Sequence, residues 1–295
     1  MSEVRLAQKG ETDRQKYLWK LCFGDSDKFI DFYYANRYKE NETALLLQDG
    51  EILAMLTMLP VRIKVSGRSY DAAMLYGIAT HPEYRNRGYA TILIDFAHQH
   101  LKKNRIDFTL LVPAGKQLFN FYQQQGYQDG FYIREAFFTW EKIDSWDIDE
   151  TGSSWIISTI SSGEYNQRRD KQLEGKTYVS YANEDIAYQK KLSQYSGADI
   201  FSLKLEEVKG CAAIERINPD QVIIKELLVN GELIPAAVKL ISRLLPAKEY
   251  VLRMPAFLGK QLEGSIRPLG MIRANNEIDS ETITKDYGYL GLAFD

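Results

Sequence analysis

A basic, glycine-containing turn occupies residues 81–90, with the sequence His81-Pro82-Glu83-Tyr84-Arg85-Asn86-Arg87-Gly88-Tyr89-Ala90. The apolar run at 72–80 before it has the length of a buried strand, and residues 91–101 after it repeat apolar side chains at helical spacing. The turn is therefore predicted to begin a helix, where unpaired backbone amides and the helix dipole attract anions. Its arginines and its glycine suit a pyrophosphate, although a capped surface turn with solvated arginines has the same pattern.

The composition favours two ordinary domains without a nucleic-acid or membrane partner. The chain has 295 residues, 45% of them hydrophobic, which is enough for two cores. Its formal net charge of −3 provides no general attraction to nucleic acid or to anionic membranes. No apolar run approaches the roughly 18 residues of a membrane span, and the N-terminus lacks the pattern of a signal peptide.

Cysteine and histidine are scarce in this chain. Cys22 and Cys211 lie far apart, so they predict neither a disulfide framework nor a zinc site, and they fit a reducing, cytoplasmic setting. The histidines are His81, His98 and His100, and the last two lie on different sides of the predicted helix. We therefore expect surface histidines and no metal site.

Alternating helical and strand-like patterns indicate a mixed α/β fold. The sequence Asp49-Gly50 predicts a tight hairpin between strands at 43–48 and 52–59. The predicted helices are 13–23, 28–38, 91–101, 116–124, 164–173, 185–195 and 234–245. The remaining predicted strands are 72–80, 108–112, 200–205, 210–216, 222–229 and 250–254.

A polar, acidic stretch marks a domain boundary near residue 145. It divides the chain into a first domain at 1–145 and a second domain at 146–295. The order of helices and strands in the first domain recurs in the second, although the two halves share no residue motif. We therefore expect two copies of one fold.

Two motifs of the first domain resemble those of the GNAT acetyltransferase superfamily. The segment Arg85-x-x-Gly88-x-Ala90 matches its acetyl-coenzyme-A (acetyl-CoA) signature, and residues 121–127, Phe-Tyr-Gln-Gln-Gln-Gly-Tyr, resemble its second block. The motifs stand in the family's order, with one helix and one strand between them, and the likeness covers about residues 1–140. It implies an α/β (α+β) fold with two acetyltransferase-like units in tandem. Each would have a mixed, mostly antiparallel sheet flanked by helices.

The resemblance also implies an acetyl-CoA site and one catalytic tyrosine. Tyr122 matches the family's proton donor to the departing thiolate, and a tyrosine with an ordinary pKa of about 10 is protonated at neutral pH. Alternatively, Tyr122 merely packs in the aromatic row around it. The acetyl group would pass directly to the amine, so neither cysteine is required as a nucleophile. The implied cofactor-binding residues are Ile78, Ala79 and Thr80 for the pantetheine arm and acetyl carbonyl, and Arg85, Asn86, Arg87, Gly88, Tyr89, Ala90 and Thr91 for the pyrophosphate.

Residues 18–26 are similar to the opening of the acetyltransferases named for enhanced intracellular survival, which carry two acetyltransferase cores and a sterol-carrier-like domain. This chain is too short for that third domain at full size. The general-base role of the C-terminal carboxylate in larger relatives is therefore not transferred to Asp295. The loop at 229–235 has no basic residue where a second pyrophosphate loop would stand. We expect a degenerate second domain that shapes the substrate pocket or an oligomer interface, or that is a structural lid.

The expected function is transfer of acetyl from acetyl-CoA to a primary amine of a small molecule or peptide. Two other functions fit the same motifs: a non-catalytic acyl-CoA-binding sensor or scaffold, and a tRNA-dependent aminoacyl transferase, which would need a basic groove. The sequence does not determine the acceptor, the general base or the oligomeric state. The carboxylates that either attract a cationic amine or form a solvated helix face are Asp25, Asp27, Asp31, Glu40 and Glu42.

Overall fold

The computed structural model of the protein describes residues 2–148, 155–277 and 281–294. Its helices are α1 (Thr12–Phe23), α2 (Asp27–Asn36), α3 (Tyr89–Lys103), α4 (Lys116–Gln124), α5 (Trp140–Asp144), α6 (Ser162–Gln172), α7 (Asn183–Tyr195), α8 (Ile234–Leu244) and α9 (Glu281–Thr284). Its strands are β1 (Ser2–Leu6), β2 (Thr43–Gln48), β3 (Glu51–Val65), β4 (Arg68–Thr80), β5 (Phe108–Leu111), β6 (Gln128–Thr139), β7 (Trp155–Thr159), β8 (Tyr178–Ser180), β9 (Ile200–Leu205), β10 (Val208–Asn218), β11 (Gln221–Leu228), β12 (Glu249–Pro255) and β13 (Ser265–Ala274).

The chain forms two compact units, and each unit takes residues from both halves of the sequence. Unit 1 consists of Met1–Ile63, Ser69–Asp129 and Gly270–Glu281. Unit 2 consists of Lys64–Arg68, Gly130–Leu269 and Thr282–Asp295. The predicted division into domains at 1–145 and 146–295 stays a prediction.

Unit 1 is built on a mixed sheet in the order β1-β2-β3-β4-β5-β13. Most neighbours are antiparallel, whereas β4 and β5 run parallel from the pair Ala72↔Phe108 to the pair Leu75↔Leu111. The predicted hairpin between β2 and β3 is present. Its turn residues Asp49 and Gly50 have φ of 51° and 85°, the left-handed geometry that a two-residue hairpin requires.

The core of unit 1 lies between this sheet and helices α3 and α4. Helix α3 buries Leu93, Ile94, Ala97 and Leu101, which share one helical face, against apolar strand residues such as Leu46. Full burial of each large aliphatic side chain contributes about 1.5–3 kcal/mol, which fixes the helix on the sheet.

Unit 2 repeats this plan with the strand order β7-β9-β10-β11-β12-β6. Here too one pair of neighbours, β11 and β12, runs parallel, from Gln221↔Glu249 to Ile224↔Leu252, while the other neighbours in this order are antiparallel. Helix α8 buries an apolar face against this sheet. Its buried core residues are Ile234, Ala237, Val238 and Ile241.

Strand β3 is longer than predicted. The predicted strand ended at Leu59, directly before Pro60, whereas the observed strand contains that proline. Strand β2 pairs with β3 only as far as Thr43↔Thr57, so Pro60 lies beyond that partner. Strand β3 itself continues through Pro60 to Val65.

Within the described residues, no helix combines the length and the apolar character needed to cross a membrane.

Candidate functional site

The parallel strands β4 and β5 separate at the start of the candidate site. Their last pair is Leu75↔Leu111, where β5 ends, whereas β4 continues to Thr80. Inside this extension Gly77 has φ of +60°, which interrupts the regular strand geometry. The backbone at 78–80 consequently has no β5 neighbour, as an added extended ligand would require.

At the turn after β4, unpaired backbone amides lie at a helix N-terminus. Asn86 and Gly88 have φ of 63° and 80°, and α3 begins directly afterwards at Tyr89. Among the described residues, the backbone amides of 86–91 donate to no protein acceptor. A Cβ at Gly88 would meet nothing within 4 Å, so the space above the turn is open. Successive unpaired amides of this kind form a concave site for an anion.

The two arginines of the turn are exposed and oriented by neighbouring groups. Arg85 Nε lies 3.3 Å from the carbonyl oxygen of Thr80 and donates to it. The Arg87 guanidinium lies 5.0 Å from the ring centre of Tyr84, a cation–π contact. Each arginine therefore adds positive charge beside the unpaired amides while its side chain is held in place.

Tyr122 lies on α4 in the same hydrophobic cluster as Leu75 and Ile78 of β4. Its side chain is only 6% exposed, and burial raises the pKa of Tyr122 to about 12. The ring contacts those of Phe121 and Tyr127, with centres 5.1 and 5.9 Å away, so the predicted aromatic packing is present. Its hydroxyl hydrogen-bonds to no other described residue and is available as a donor.

The family described as acetyltransferase (GNAT) domain matches residues 3–129, the part of the chain that carries this geometry. Residues 3–129 are a GNAT acetyltransferase domain. The protein is accordingly an acyltransferase, and this family uses acetyl-CoA as its acyl donor. Most of the matched region lies in unit 1.

Solved structures share the fold of the whole chain. A GCN5-related N-acetyltransferase from Anabaena variabilis is 14% identical, with a TM-score of 0.74 over 94% of this chain and 73% of that one. A probable N-acyltransferase from Enterococcus faecalis is 17% identical, with a TM-score of 0.72 over 93% and 73%. Eis1 from Mycobacterium abscessus is 11% identical, with a TM-score of 0.66 over 93% and 74%. No curated protein matches the chain significantly by sequence.

An aromatic wall lies on the opposite side of β4 in the GNAT domain. Trp19 of α1 packs against Tyr33 and Tyr76, with ring centres 4.7 and 5.8 Å away. A Cβ at Gly77 would lie 3.3 Å from Trp19 Cζ3, so the glycine permits this close approach. Trp19 Nε1 donates to Asp25 Oδ2 over 2.7 Å, a contact that sequence reasoning did not foresee.

The other acidic residues considered in the sequence have lysine or arginine partners or are exposed. Asp27 and Asp31 are exposed and pair with Lys20 and Lys16, over 2.8 and 2.7 Å. Glu42 pairs over 2.6 Å with Arg37, and both side chains are buried. Asp27, Asp31 and Glu42 are thus engaged in the structure, whereas Asp25 bonds to Trp19 of the aromatic wall.

Neither cysteine is arranged as a nucleophile. The thiol of Cys22 is half-buried and donates to the carbonyl oxygen of Thr80 over 3.3 Å, and burial raises its pKa. Cys211 is fully buried in unit 2, and desolvation raises the pKa of its thiol further. Both thiols are therefore protonated at neutral pH, when the thiolate would be the reactive form.

The prediction of a surface position is wrong for His98. Its side chain is only 7% exposed, because it lies on the core face of α3. It contacts Tyr127 of the second GNAT motif and Arg273 of β13, which is 175 residues away in the sequence. Among the described residues, no group of three or more His, Cys, Asp or Glu side chains could hold a metal ion.

Unit 2 lacks the open geometry of the GNAT domain at the corresponding place. Strands β11 and β12 also separate, after Ile224↔Leu252, but the following strand position holds Glu226, which is fully buried. The Arg169 guanidinium bonds to this carboxylate, with Nε 3.0 Å from Oε2. A Cβ at Gly291 would collide with the same carboxylate, so the C-terminal segment also packs here.

Proposed function

We propose that this protein is an acetyl-CoA-dependent N-acetyltransferase that transfers acetyl directly to a primary amine of a small molecule or peptide. One observation carries the proposal: strands β4 and β5 separate directly before a turn whose backbone amides at 86–91 are unpaired. A strand edge and an anion site in series suit a ligand with a hydrogen-bonding arm and a pyrophosphate.

The donor would bind mainly through main-chain atoms. The backbone of Ile78, Ala79 and Thr80 would pair with the pantetheine arm, because β5 has ended there. The amides of residues 86–91 would surround the pyrophosphate, and Arg85 and Arg87 would add formal charge. These are the groups that the GNAT signature implies, and Gly88 leaves the approach open.

Acetyl transfer would proceed without an acyl-enzyme. The neutral amine nitrogen forms a bond to the acetyl carbon, the carbon–sulfur bond breaks, and the thiolate takes a proton. Tyr122 would donate to that thiolate, since its raised pKa keeps it protonated throughout the neutral range. The proton released by the amine goes to a base that is not assigned.

We also propose that residues 146–295 derive from a degenerate GNAT-like domain that binds no acyl-CoA. Its loop after β11 holds Asn230 and Glu232 and no basic residue. The ion pair of Arg169 and Glu226 and the C-terminal segment occupy the place where the strands separate. The two free thiols favour the cytoplasm as the compartment.

An acetylation assay tests the function. Purified protein is incubated with acetyl-CoA and a panel of polyamines, aminoglycosides, amino acids and lysine peptides, and free thiol and acetylated product are both measured. We expect thiol release matched by product for at least one amine. Coenzyme A binding in calorimetry without turnover on the whole panel would instead favour the sensor or scaffold. Salt-sensitive binding of charged tRNA would favour aminoacyl transfer.

A further inference from the structure

A buried polar network joins α3, the end of α4 and strand β13 within unit 1. His98 Nε2 lies 2.8 Å from the hydroxyl of Tyr127, and the rings of these residues are 5.6 Å apart. On the other side of the imidazole, Arg273 Nη1 contacts His98 Nδ1. Polar groups in a core are costly unless they are paired, and a paired network makes the side chains around it rigid.

The chemistry of the three side chains fixes the direction of the hydrogen bonds. A guanidinium group can only donate, so His98 Nδ1 accepts from Arg273. The hydrogen of the neutral imidazole is then on Nε2, and it donates to the hydroxyl oxygen of Tyr127. Burial and the neighbouring Arg273 lower the pKa of His98 to about 3, so the imidazole is neutral throughout the neutral pH range.

The network contacts the segment that ends α4 directly behind Tyr122. The backbone amides of Gln125 and Tyr127 both donate to the carbonyl oxygen of Tyr122, over 2.9 and 3.0 Å. The rings of Tyr122 and Tyr127 also pack edge to face. Between them Gly126 has φ of +83°, and a Cβ there would lie 3.4 Å from Arg273 Nε. A shift of Tyr127 is therefore transmitted to Tyr122 through its backbone and its ring.

We propose that His98 and Arg273 are positioning residues that hold Tyr122, through Tyr127, in the orientation needed to protonate the departing thiolate. This inference rests on the proposed function, in which Tyr122 is the proton donor. Arg273 belongs to β13, so the C-terminal part of the chain supplies a side chain that supports the motif of the GNAT domain. Hydroxyl groups that act in catalysis need such support, because a displacement of about 1 Å can cost roughly a hundredfold in rate.

The test uses the 295-residue chain, four single variants of it, and Tyr122→Phe with and without Tyr127→Phe. Tyr127→Phe removes only the hydroxyl that His98 bonds, and His98→Leu removes both hydrogen bonds of the imidazole. His98→Gln restores an acceptor and a donor on one side chain and is the rescue variant. Tyr178→Phe is the matched control, because it removes a buried tyrosine hydroxyl that bonds to Asp170 in unit 2. We measure kcat, the KM for acetyl-CoA and the coenzyme-A-induced shift in Tm.

We expect Tyr127→Phe and His98→Leu to lower kcat by roughly ten- to a hundredfold with an unchanged KM and an unchanged Tm shift. His98→Gln should recover most of the kcat, and Tyr178→Phe should leave it unchanged. In a Tyr122→Phe background, Tyr127→Phe should lower kcat no further, because the network acts through the Tyr122 hydroxyl.

If Tyr127→Phe lowers kcat equally with and without the Tyr122 hydroxyl, the positioning role is overturned. A normal kcat in Tyr127→Phe alone would overturn it too. If His98→Leu does not fold, Tyr127→Phe and His98→Gln still decide the question, since both preserve the core volume. Failure of the proposed function has a separate signature: Tyr122→Phe alone would then keep the full kcat, or no amine would be acetylated at all.

Discussion

At the scale of single residues, the site depends on backbone geometry more than on reactive side chains. Gly77 and Gly88 both have positive φ, the first where α1 approaches β4 and the second where a pyrophosphate would lie. The sequence assigned roles to Gly88 and Tyr122 from the local motifs in which they stand, and those roles stay predictions. It could not predict the bond from Trp19 to Asp25 or the burial of His98, because those depend on tertiary contacts.

Tyr122→Phe removes the proposed proton donor and keeps the ring. We expect kcat to fall by roughly a hundredfold or more, the usual contribution of a general acid, while coenzyme A still raises Tm. Steady-state kinetics and thermal unfolding measure the two effects. Tyr70→Phe is the control, since Tyr70 packs on Phe108 in the same unit and has no catalytic role. Unchanged turnover in Tyr122→Phe would remove this residue from the mechanism.

The raised pKa of Tyr122 predicts the alkaline behaviour of the enzyme. A group whose pKa is raised keeps its proton to higher pH, so the acid form of Tyr122 persists up to a pKa of about 12. An ordinary tyrosine, with a pKa of about 10, would already have lost half of its protons at about pH 10. We therefore expect kcat, measured across this range with a saturating amine, to show no decline from loss of the acid before about pH 10. A decline centred near pH 8 would indicate a different proton donor.

Gly88→Glu places bulk and negative charge beside the unpaired amides. At a concentration of one hundred times its Kd, coenzyme A stabilises the folded protein by about 2.7 kcal/mol. We expect the Gly88→Glu variant to lose the resulting Tm shift. The control is Gly10→Glu, since Gly10 has φ of +90° and, like Gly88, nothing within 4 Å of an added Cβ. Its backbone strain is similar, so an equal loss of the shift in Gly10→Glu would contradict the assignment of the turn.

At the scale of helices and strands, local sequence patterns predicted the elements that local interactions stabilise. The bounds of α4, β2 and β9 agree with the predictions, because their apolar spacing is continuous. The strands that were not predicted are β1, β6, β7, β8 and β13, which are polar on one side or are short. The separation of β4 from β5 could not be read from spacing alone, because it follows from where β5 ends.

Helix α6 is tied to β11 by a fully buried ion pair. Arg169 bonds to Glu226 and to the carbonyl oxygens of Val179 and Leu290, and both charged side chains are 0% exposed. Arg169→Met would leave a buried carboxylate without its partner, so we expect a loss of roughly 3–5 kcal/mol in the free energy of unfolding. Urea denaturation measures it. The exposed pair of Lys20 and Asp27 provides the control, because Lys20→Met should cost less than about 1 kcal/mol. Equal costs would contradict this account of α6.

At the scale of the whole molecule, the two units share one plan, and the sheet of each unit is completed by a strand from the other half of the sequence. The sixth strand of unit 1 is β13, from the second half of the chain, and the sixth strand of unit 2 is β6, from the first half. The sequence could not predict this arrangement, since no local pattern identifies a partner more than one hundred residues away. It also gives the second half a role in the GNAT domain whether or not it binds a ligand itself.

The exchanged strands predict that the first half does not form the site alone. In residues 1–145, strand β5 would lose its pairs from Met271↔Leu111 to Ala274↔Phe108, and the β6 residues that pair with β12 would be left exposed. Unpaired apolar strand edges of this kind aggregate. We therefore expect residues 1–145 to be insoluble, or to show no coenzyme-A-induced Tm shift, when they are produced alone. Co-production of residues 146–295 as a separate chain should restore both properties, because it returns β13. A soluble 1–145 fragment with a full Tm shift would show that β13 is dispensable for donor binding.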